Sequence, residues 1–370
     1  MNLGNRPLIA IGNGCRNVHP LLLNQLMDLG LPVVTSWMAA DLVNNWHPSF
    51  VGRPGIYGQR LANKVVYNAD HIISIGCRWS MWQAGYGSFQ REHNMTVVDI
   101  DAEELKRFPS AVTFKQDAGE WIEKFLTEFS PPQGRLYRPW LDQLEKWRKE
   151  FPWLEPHHQH GEYINPHRFV HELGERLKPD AVVVTDCATG NLCAHQILRL
   201  KPGQRLMTSG GLGEMGCGLP AAIGASFARG KGEVICLMTD GAMAMNVQEL
   251  ATIRHHNLPI KIIVFCNDGY GMIRGTQRAL GMPYSGVNEA TGVWCPDYCK
   301  VAEAYGITGW FIHHEYQIQD LQRLIGYLLT DDGPALLSVR IDPEYQISPK
   351  LQPVRNADGS ISNAIYEVMS

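Results

Sequence analysis

No run of this chain approaches the roughly 18 apolar residues that a membrane-spanning helix needs. Charge of one sign is scarce too. Thirty-seven acidic side chains stand against 33 basic ones, a net charge of −4 with His neutral. That balance makes no case for a nucleic-acid partner or a membrane surface. The opening MNLGNRPLIAIGNG has no signal-peptide pattern, and the scattered cysteines lead to the expectation of a cytoplasmic protein. The nine Cys form no paired zinc signature: Cys295 and Cys299 stand four apart, Cys187 and Cys193 six. Cys236 and Cys266 lie inside apolar runs and read as reduced, buried thiols. A dinucleotide fingerprint is also missing in its full form. GNGCRN at 12–17 starts as G-x-G but carries Asn17 at the sixth position.

What the chain has in quantity is apolar sequence arranged for sheets. It is 45% hydrophobic and 19% charged over 370 residues, enough for about two domains with sizeable cores. Residues 1–128 alternate strand-like and helix-like stretches. LIAIG (8–12), PVVTS (32–36), HIISIG (71–76), TVVDID (96–101) and VTFKQD (112–117) are the strands, and LLLNQLMDLG and LANKVVYNA are helical. This predicts a parallel α/β sheet. A linker over 129–164, marked by SPPQGR, carries a Trp-rich surface helix, PWLDQLEKWRKEFPWLEP. HHQH at 157–160 sits in a Pro-bounded loop and reads as solvated or partner-facing rather than as a metal site. A second α/β domain is expected over 165–345, then a tail over 346–370.

In the second domain EVICLM (233–238) and IKIIVF (260–265) read as buried parallel strands. Between them Val247, Leu250, Ala251 and Ile253 fall on one helical face, and Asn246 with Glu249 has the spacing of a capping box. Asn257 and Pro259 end the helix. In such a strand–helix–strand unit Asp240 and Asn267 emerge at the same carboxyl edge, where doubly wound folds bind ligands. A carboxylate and an amide oxygen suit Mg²⁺, which shares its oxygen ligands with phosphate. Gly241 and Gly269 beside them permit close backbone approach. Turn residues after two strands would look the same at this level.

Several blocks together tip that balance. The Asp-Gly at 240–241, followed at this distance by Asn267, resembles the thiamin-diphosphate motif. The chain is most similar to the acetolactate (acetohydroxyacid) synthase-like family. SGGLGEMGCGLPAAIGA (209–225) follows that family's Gly-rich segment, and MNVQELATI, NLPIKIIVF, PDYCKVAEAYG and GPALLSVRID continue the likeness. GNGCRN and GRPGIYGQRLAN (52–63) resemble the family's central domain. There are departures: Thr239 replaces a usual Gly, Cys266 replaces the first Asn of a pair, and CRWSMWQ (77–83) stands where flavin-containing members carry a different stretch. The last speaks against a required FAD and leaves its presence open.

The resemblance implies two doubly wound parallel-sheet domains, central and thiamin-diphosphate-binding. It implies Mg²⁺ held by Asp240, Asn267 and the carbonyl of Gly269. Thr189, Gly190 and Asn191 would meet the diphosphate, in place of the family's Gln-His-Gln, together with the backbone N–H groups of Gly241 and Ala242. The Gly213 carbonyl would accept a hydrogen bond from the cofactor's amino group. Met215 would sit under the bend of the cofactor, core packing being its other reading. The implied chemistry is decarboxylation of a 2-oxo acid, with transfer of the acyl-anion equivalent to a second carbonyl or its protonation to an aldehyde. MIRGTQRALGMPYSG (272–286), in the place of the family's acceptor-side segment, departs from the usual text and leaves the substrates open.

Members of the family have a further, first domain bearing a Glu that activates the cofactor, and here Met1 lies six residues before the central domain. The expectation is therefore a large subunit whose Glu comes from a small partner subunit, in a two-fold hetero-oligomer. A simple 2-oxo acid decarboxylase of the same split type and a non-catalytic, cofactor-binding regulatory subunit are the alternatives. A nicotinamide or flavin dehydrogenase built on the first domain is disfavoured by Asn17. The tail, LQPVRNADGSISNAIYEVMS, resembles tails that fold over the active site in related enzymes.

Overall fold

Short β-branched runs joined by helix-length connections return the chain to the same sheet edge each time, so both sheets are parallel throughout. The computed structural model describes residues 3–84, 94–129, 137–159, 161–312, 318–351, 353–355 and 361–363. The linker SPPQGR and most of the tail lie outside these residues. The chain divides into two units. One runs to Trp153 and takes in Arg199–Pro202 and the chain from Ser348; the other comprises Leu154–Leu198 and Gly203–Ile347.

The first unit holds β1 (Pro7–Ile11), β2 (Val33–Thr35), β3 (Phe50–Gly52), β4 (His71–Ile75), β5 (Asn94–Asp99) and β6 (Val112–Lys115), in the order β3-β2-β1-β4-β5-β6. All five expected strands are present, and β3 adds a sixth that is too short to show a pattern. Helices Pro20–Asp28 and Ala118–Glu128 cover one face through Leu23, Leu26, Trp121, Ile122 and Phe125. The Trp-rich helix, Arg138–Glu150, is amphipathic as expected: Trp140, Leu144 and Trp147 are buried, and the Trp140 Nε1–H donates to the Pro7 carbonyl at 3.1 Å.

The strand order reverses between β1 and β4, the place where a doubly wound fold offers a crevice to a dinucleotide. Here the chain's own backbone fills it. Gly12 N–H donates to the Ile75 carbonyl (2.9 Å) and Gly14 N–H to the Gly76 carbonyl (3.0 Å). A Cβ on Gly12 would lie 2.0 Å from the Gly76 oxygen. A single 3-10 turn, Asn13–Cys15, follows β1 instead of a helix N-terminus. The incomplete fingerprint thus serves close packing.

The second unit holds β7 (Val182–Thr185), β8 (Arg205–Met207), β9 (Val234–Thr239), β10 (Ile260–Cys266), β11 (Thr308–Ile312) and β12 (Ala335–Arg340), in the order β11-β12-β10-β9-β7-β8. β9 and β10 are buried at nearly every position, as runs with no alternation should be. Leu250 and Ile253 of helix Glu249–His256 pack into that core while Ala251 is exposed, one residue fewer than the face expected. No described helix is long and apolar enough to cross a membrane.

The histidine loop departs from expectation at one residue, His157 and Gln159 being exposed and His160 lying outside the described residues. His158 is buried, stacked on buried His167 with ring centroids 4.2 Å apart and planes 3° from parallel. His167 meets the Tyr345 hydroxyl (2.5 Å) and Gln196 Oε1 (2.6 Å). Burial, then the neighbouring His158, pushes His167 down to about 3. A histidine held neutral in the fold but ordinary when unfolded adds stability above pH 6.5 that drains away as the pH falls toward 3. Urea unfolding should therefore lose up to about 1.4 kcal/mol per pH unit between about pH 6 and pH 4 through this residue. His167→Gln should flatten that slope, and an unchanged slope would mean that the proton enters elsewhere.

Candidate functional site

In the second unit the strand order reverses between β7 and β9. Asp186, Asp240 and Asn267 follow directly on β7, β9 and β10, three neighbouring strands, so all three reach the carboxyl edge at this switch. Asp240 is buried, with 1% of its surface exposed. Its Oδ1 accepts from Gly241 N–H (2.8 Å) and its Oδ2 from Asn267 N–H (2.9 Å) and Gly269 N–H (3.2 Å). Burial still pushes the carboxyl up to about 6, against the downward pull of those donors. Such a carboxylate lacks a counter-charge.

The side chain of Asn267 turns toward it. One terminal atom of the Asn267 amide faces Gly269 O at 2.8 Å and Asp240 Oδ1 at 3.2 Å: as a nitrogen it would donate to both, as an oxygen it joins them and calls for a cation. With the oxygen inward, three oxygens converge from Asp240, Asn267 and the Gly269 carbonyl. The two separations from the Asn267 atom are close to the ~3.0 Å edge of an octahedron of oxygens around Mg²⁺ at ~2.1 Å. Uncompensated, that arrangement is repulsive, and a cation among the three would make it favourable. The donor set and its geometry therefore fit a hard divalent ion.

Glycine is required around it. Gly269 has φ +121°, and a Cβ there would meet the Val287 carbonyl oxygen at 2.3 Å. A Cβ on Gly241 would strike the Tyr270 ring at 2.6 Å. The Gly241 N–H is spent on Asp240, so it is not spare for a phosphate. Ala242 follows it in the short helix Asp240–Met245, fully buried. Thr189, Gly190 and Asn191 form the first turn of helix Ala188–Ile197, which opens on Ala188 at φ +56°. The Asn191 side-chain Oδ1 accepts from the hydroxyls of Thr185 (3.1 Å) and Thr208 (3.0 Å), which holds that side chain in place.

Gly213 and Met215 lie on the Gly-rich loop that enters helix Gly218–Ala228. Gly213 has φ +69°. Met215 is 38% exposed and therefore not a core residue. Two residues hold this loop. Asp186 Oδ1 accepts from Gly216 N–H (2.9 Å) and its Oδ2 from Gly218 N–H (2.6 Å). Asn246 Nδ2 donates to the Gly216 carbonyl (2.7 Å). The capping box is thus corrected: Gln248 precedes helix Glu249–His256, and the Asn246 amide is engaged by the Gly-rich loop. Asp186 was missed in the sequence although it follows an apolar strand just as Asp240 does.

Comparison with known proteins gives the family. Residues 187–339 match the family model described as "Thiamine pyrophosphate enzyme, C-terminal TPP binding domain". Residues 1–125 match "Thiamine pyrophosphate enzyme, central domain". The chain is 32% identical over 359 residues to the acetolactate synthase large subunit of Pyropia yezoensis, covering 94% of this chain and 59% of that protein. It is 30% identical over 353 residues to the acetolactate synthase isozyme 2 large subunit of Escherichia coli K12, covering 94% and 62%. The chain thus spans about three fifths of the length of these relatives.

Asp186 gives a direct test of the loop's support. Asp186→Asn replaces an acceptor by a donor facing an N–H, and each buried donor left unpaired costs ~1–3 kcal/mol. Hydrogen exchange should speed up at Gly216 and Gly218 while β9 and β10 stay protected. Unchanged exchange at those two amides would remove Asp186 from this role.

Proposed function

Because the chain belongs to the thiamine pyrophosphate enzymes, we propose that it binds thiamin diphosphate through Mg²⁺ at Asp240, Asn267 and the Gly269 carbonyl, and serves an acetolactate synthase-like carboligase. The donor is a 2-oxo acid, which is decarboxylated, and the acyl-anion equivalent passes to a carbonyl acceptor. The observation that carries this reading is the convergence of a buried carboxylate, the Asn267 side-chain amide and the Gly269 carbonyl from two neighbouring strand ends. Bound there, thiamin diphosphate supplies an electron sink. The chain's own residues do the rest. Asp240 would offset the ion's charge, the turn of Thr189–Asn191 would meet the diphosphate, and the Gly213 carbonyl would accept from the cofactor's amino group. Met215, on a loop held by Asp186 and Asn246, would support the cofactor's bend.

We propose further that the activating Glu comes from a domain outside these 370 residues, on a small partner subunit, with the pairs arranged about a two-fold axis. Support comes from exposed apolar side chains on the elements that flank the site: Leu212, Met215, Met245 and Ile273. Such a patch favours burial against another surface. The nine unpaired cysteines favour the cytoplasm.

Two measurements test the two parts separately. Asp240→Ala should weaken Mg²⁺-dependent binding of thiamin diphosphate at least about tenfold, or ~1.4 kcal/mol, by titration calorimetry. Equal affinity in the variant would remove the ion site. Exchange of the C2 proton of bound thiamin diphosphate, read by NMR after acid quench, should be no faster with this chain alone than in free cofactor. Strong acceleration by the chain alone would mean that the activating group lies within it.

A further inference from the structure

The turn that presents two of the three oxygens is gripped from both sides. Asp240 accepts the N–H groups of Asn267 and Gly269 on one side. On the other, Arg274 donates through Nη2 to the Asn267 carbonyl (2.5 Å) and through Nη1 to the Asp268 carbonyl (3.2 Å). The same Nη2 reaches the Pro343 carbonyl (2.5 Å), beyond the end of β12. We propose that Arg274 is a positioning residue for the cation, one that fixes the ligand turn so that the Asn267 and Gly269 oxygens stand ready for it. The inference rests on the reading of those oxygens, with Asp240, as ion ligands.

Several features favour this over simple core packing. Arg274 is only 2% exposed, and its nearest carboxylate, Glu344 Oε1, stands 3.8 Å from Nε on a side chain that is 45% exposed. Among the described residues the Nε has no hydrogen-bond partner. A buried guanidinium held mainly by three peptide oxygens is costly to keep beside a site built for a divalent cation. Its donors go to the carbonyls of the ligand turn itself. The planar fork lets one side chain meet carbonyls that leave the turn in different directions, which an ammonium on a flexible stem does not reproduce. Gly271 makes room for the side chain of the ligand turn: a Cβ there would lie 2.3 Å from the Asn267 amide.

A second layer braces the same turn. Arg340, at the end of β12, takes Asp268 with both terminal nitrogens, Nη2 at 2.6 Å. Glu344 also receives Arg278 and the Tyr284 hydroxyl (2.8 Å). Glu344 thus links Arg274 to the exposed face of helix Gly271–Ala279.

The test compares Mn²⁺ affinity in the presence of saturating thiamin diphosphate, read from free Mn²⁺ by electron paramagnetic resonance, with the thermal midpoint of the cofactor-free chain. Arg274→Lys should weaken Mn²⁺ binding by about 10–100-fold, the usual cost of losing a residue that orients a ligand. The cofactor-free midpoint should move little. Glu344→Gln, on a half-exposed side chain, should give a smaller loss in the same direction and keeps the question answerable if Arg274→Lys fails to fold. Wild-type affinity in the soluble variants would overturn the proposal, as would a loss matched by a collapse of the midpoint in both. If the wild-type chain itself binds no Mn²⁺ with thiamin diphosphate, the ion-site reading fails first and this inference falls with it.

Discussion

A carboxylate taken out of water needs a proton or a cation, and Asp240 is the group around which the second unit is organised. Three backbone N–H groups reach its two oxygens, and burial still outweighs them. Those donors dictate the path of the chain after β10. Asn267 and Gly269 must present their N–H groups inward, which forces Gly269 to φ +121° and brings its carbonyl and the Asn267 amide together. The Tyr298 hydroxyl donates to the Asp240 carbonyl at 2.6 Å and ties helix Tyr298–Ala304 to the same residue. Removing the carboxylate would release the turn, the glycine conformation and the oxygen cluster together.

Asp186 repeats the device one strand away. It too follows a buried strand and accepts backbone N–H groups, here those of Gly216 and Gly218. A Cβ on Gly218 would lie 2.8 Å from the Asp186 Cβ, so the loop can come this close only as glycine. Two strand-end acids thus hold the two backbone segments on which a diphosphate and the bend of its cofactor would depend. In the first unit, glycines at the corresponding reversal do the opposite: they let the backbone of β1's exit and Gly76 close on each other.

The strand pattern and the Asp240–Asn267 pair were legible because they depend on period and length. Buried parallel strands cannot alternate, and a strand–helix–strand unit returns to the same edge. Three-residue strands such as β3 and β8 carry too little sequence to show a period. Asn246 was misread for a different reason. Its spacing to Glu249 satisfies a local rule, but the Gly216 carbonyl, thirty residues away in sequence, claims the amide. His158 looks like surface because imidazole usually is; the parallel ring of His167 and the Glu155 N–H on its Nδ1 (3.2 Å), neither readable from a sequence rule, accompany its burial. Arg274 left no local signal, since all its acceptors are main-chain carbonyls.

The account turns on which atom of Asn267 faces Asp240 and the Gly269 carbonyl. Crystals of the chain grown with thiamin diphosphate and Mn²⁺ would answer this through anomalous diffraction at the manganese edge. The predicted result is one anomalous peak within ~2.1–2.3 Å of an Asp240 carboxylate oxygen, Asn267 Oδ1 and the Gly269 carbonyl oxygen, distances usual for a small divalent ion on oxygen ligands. An Asn267 amide turned to donate to both neighbours, with no peak among the three residues, would contradict it.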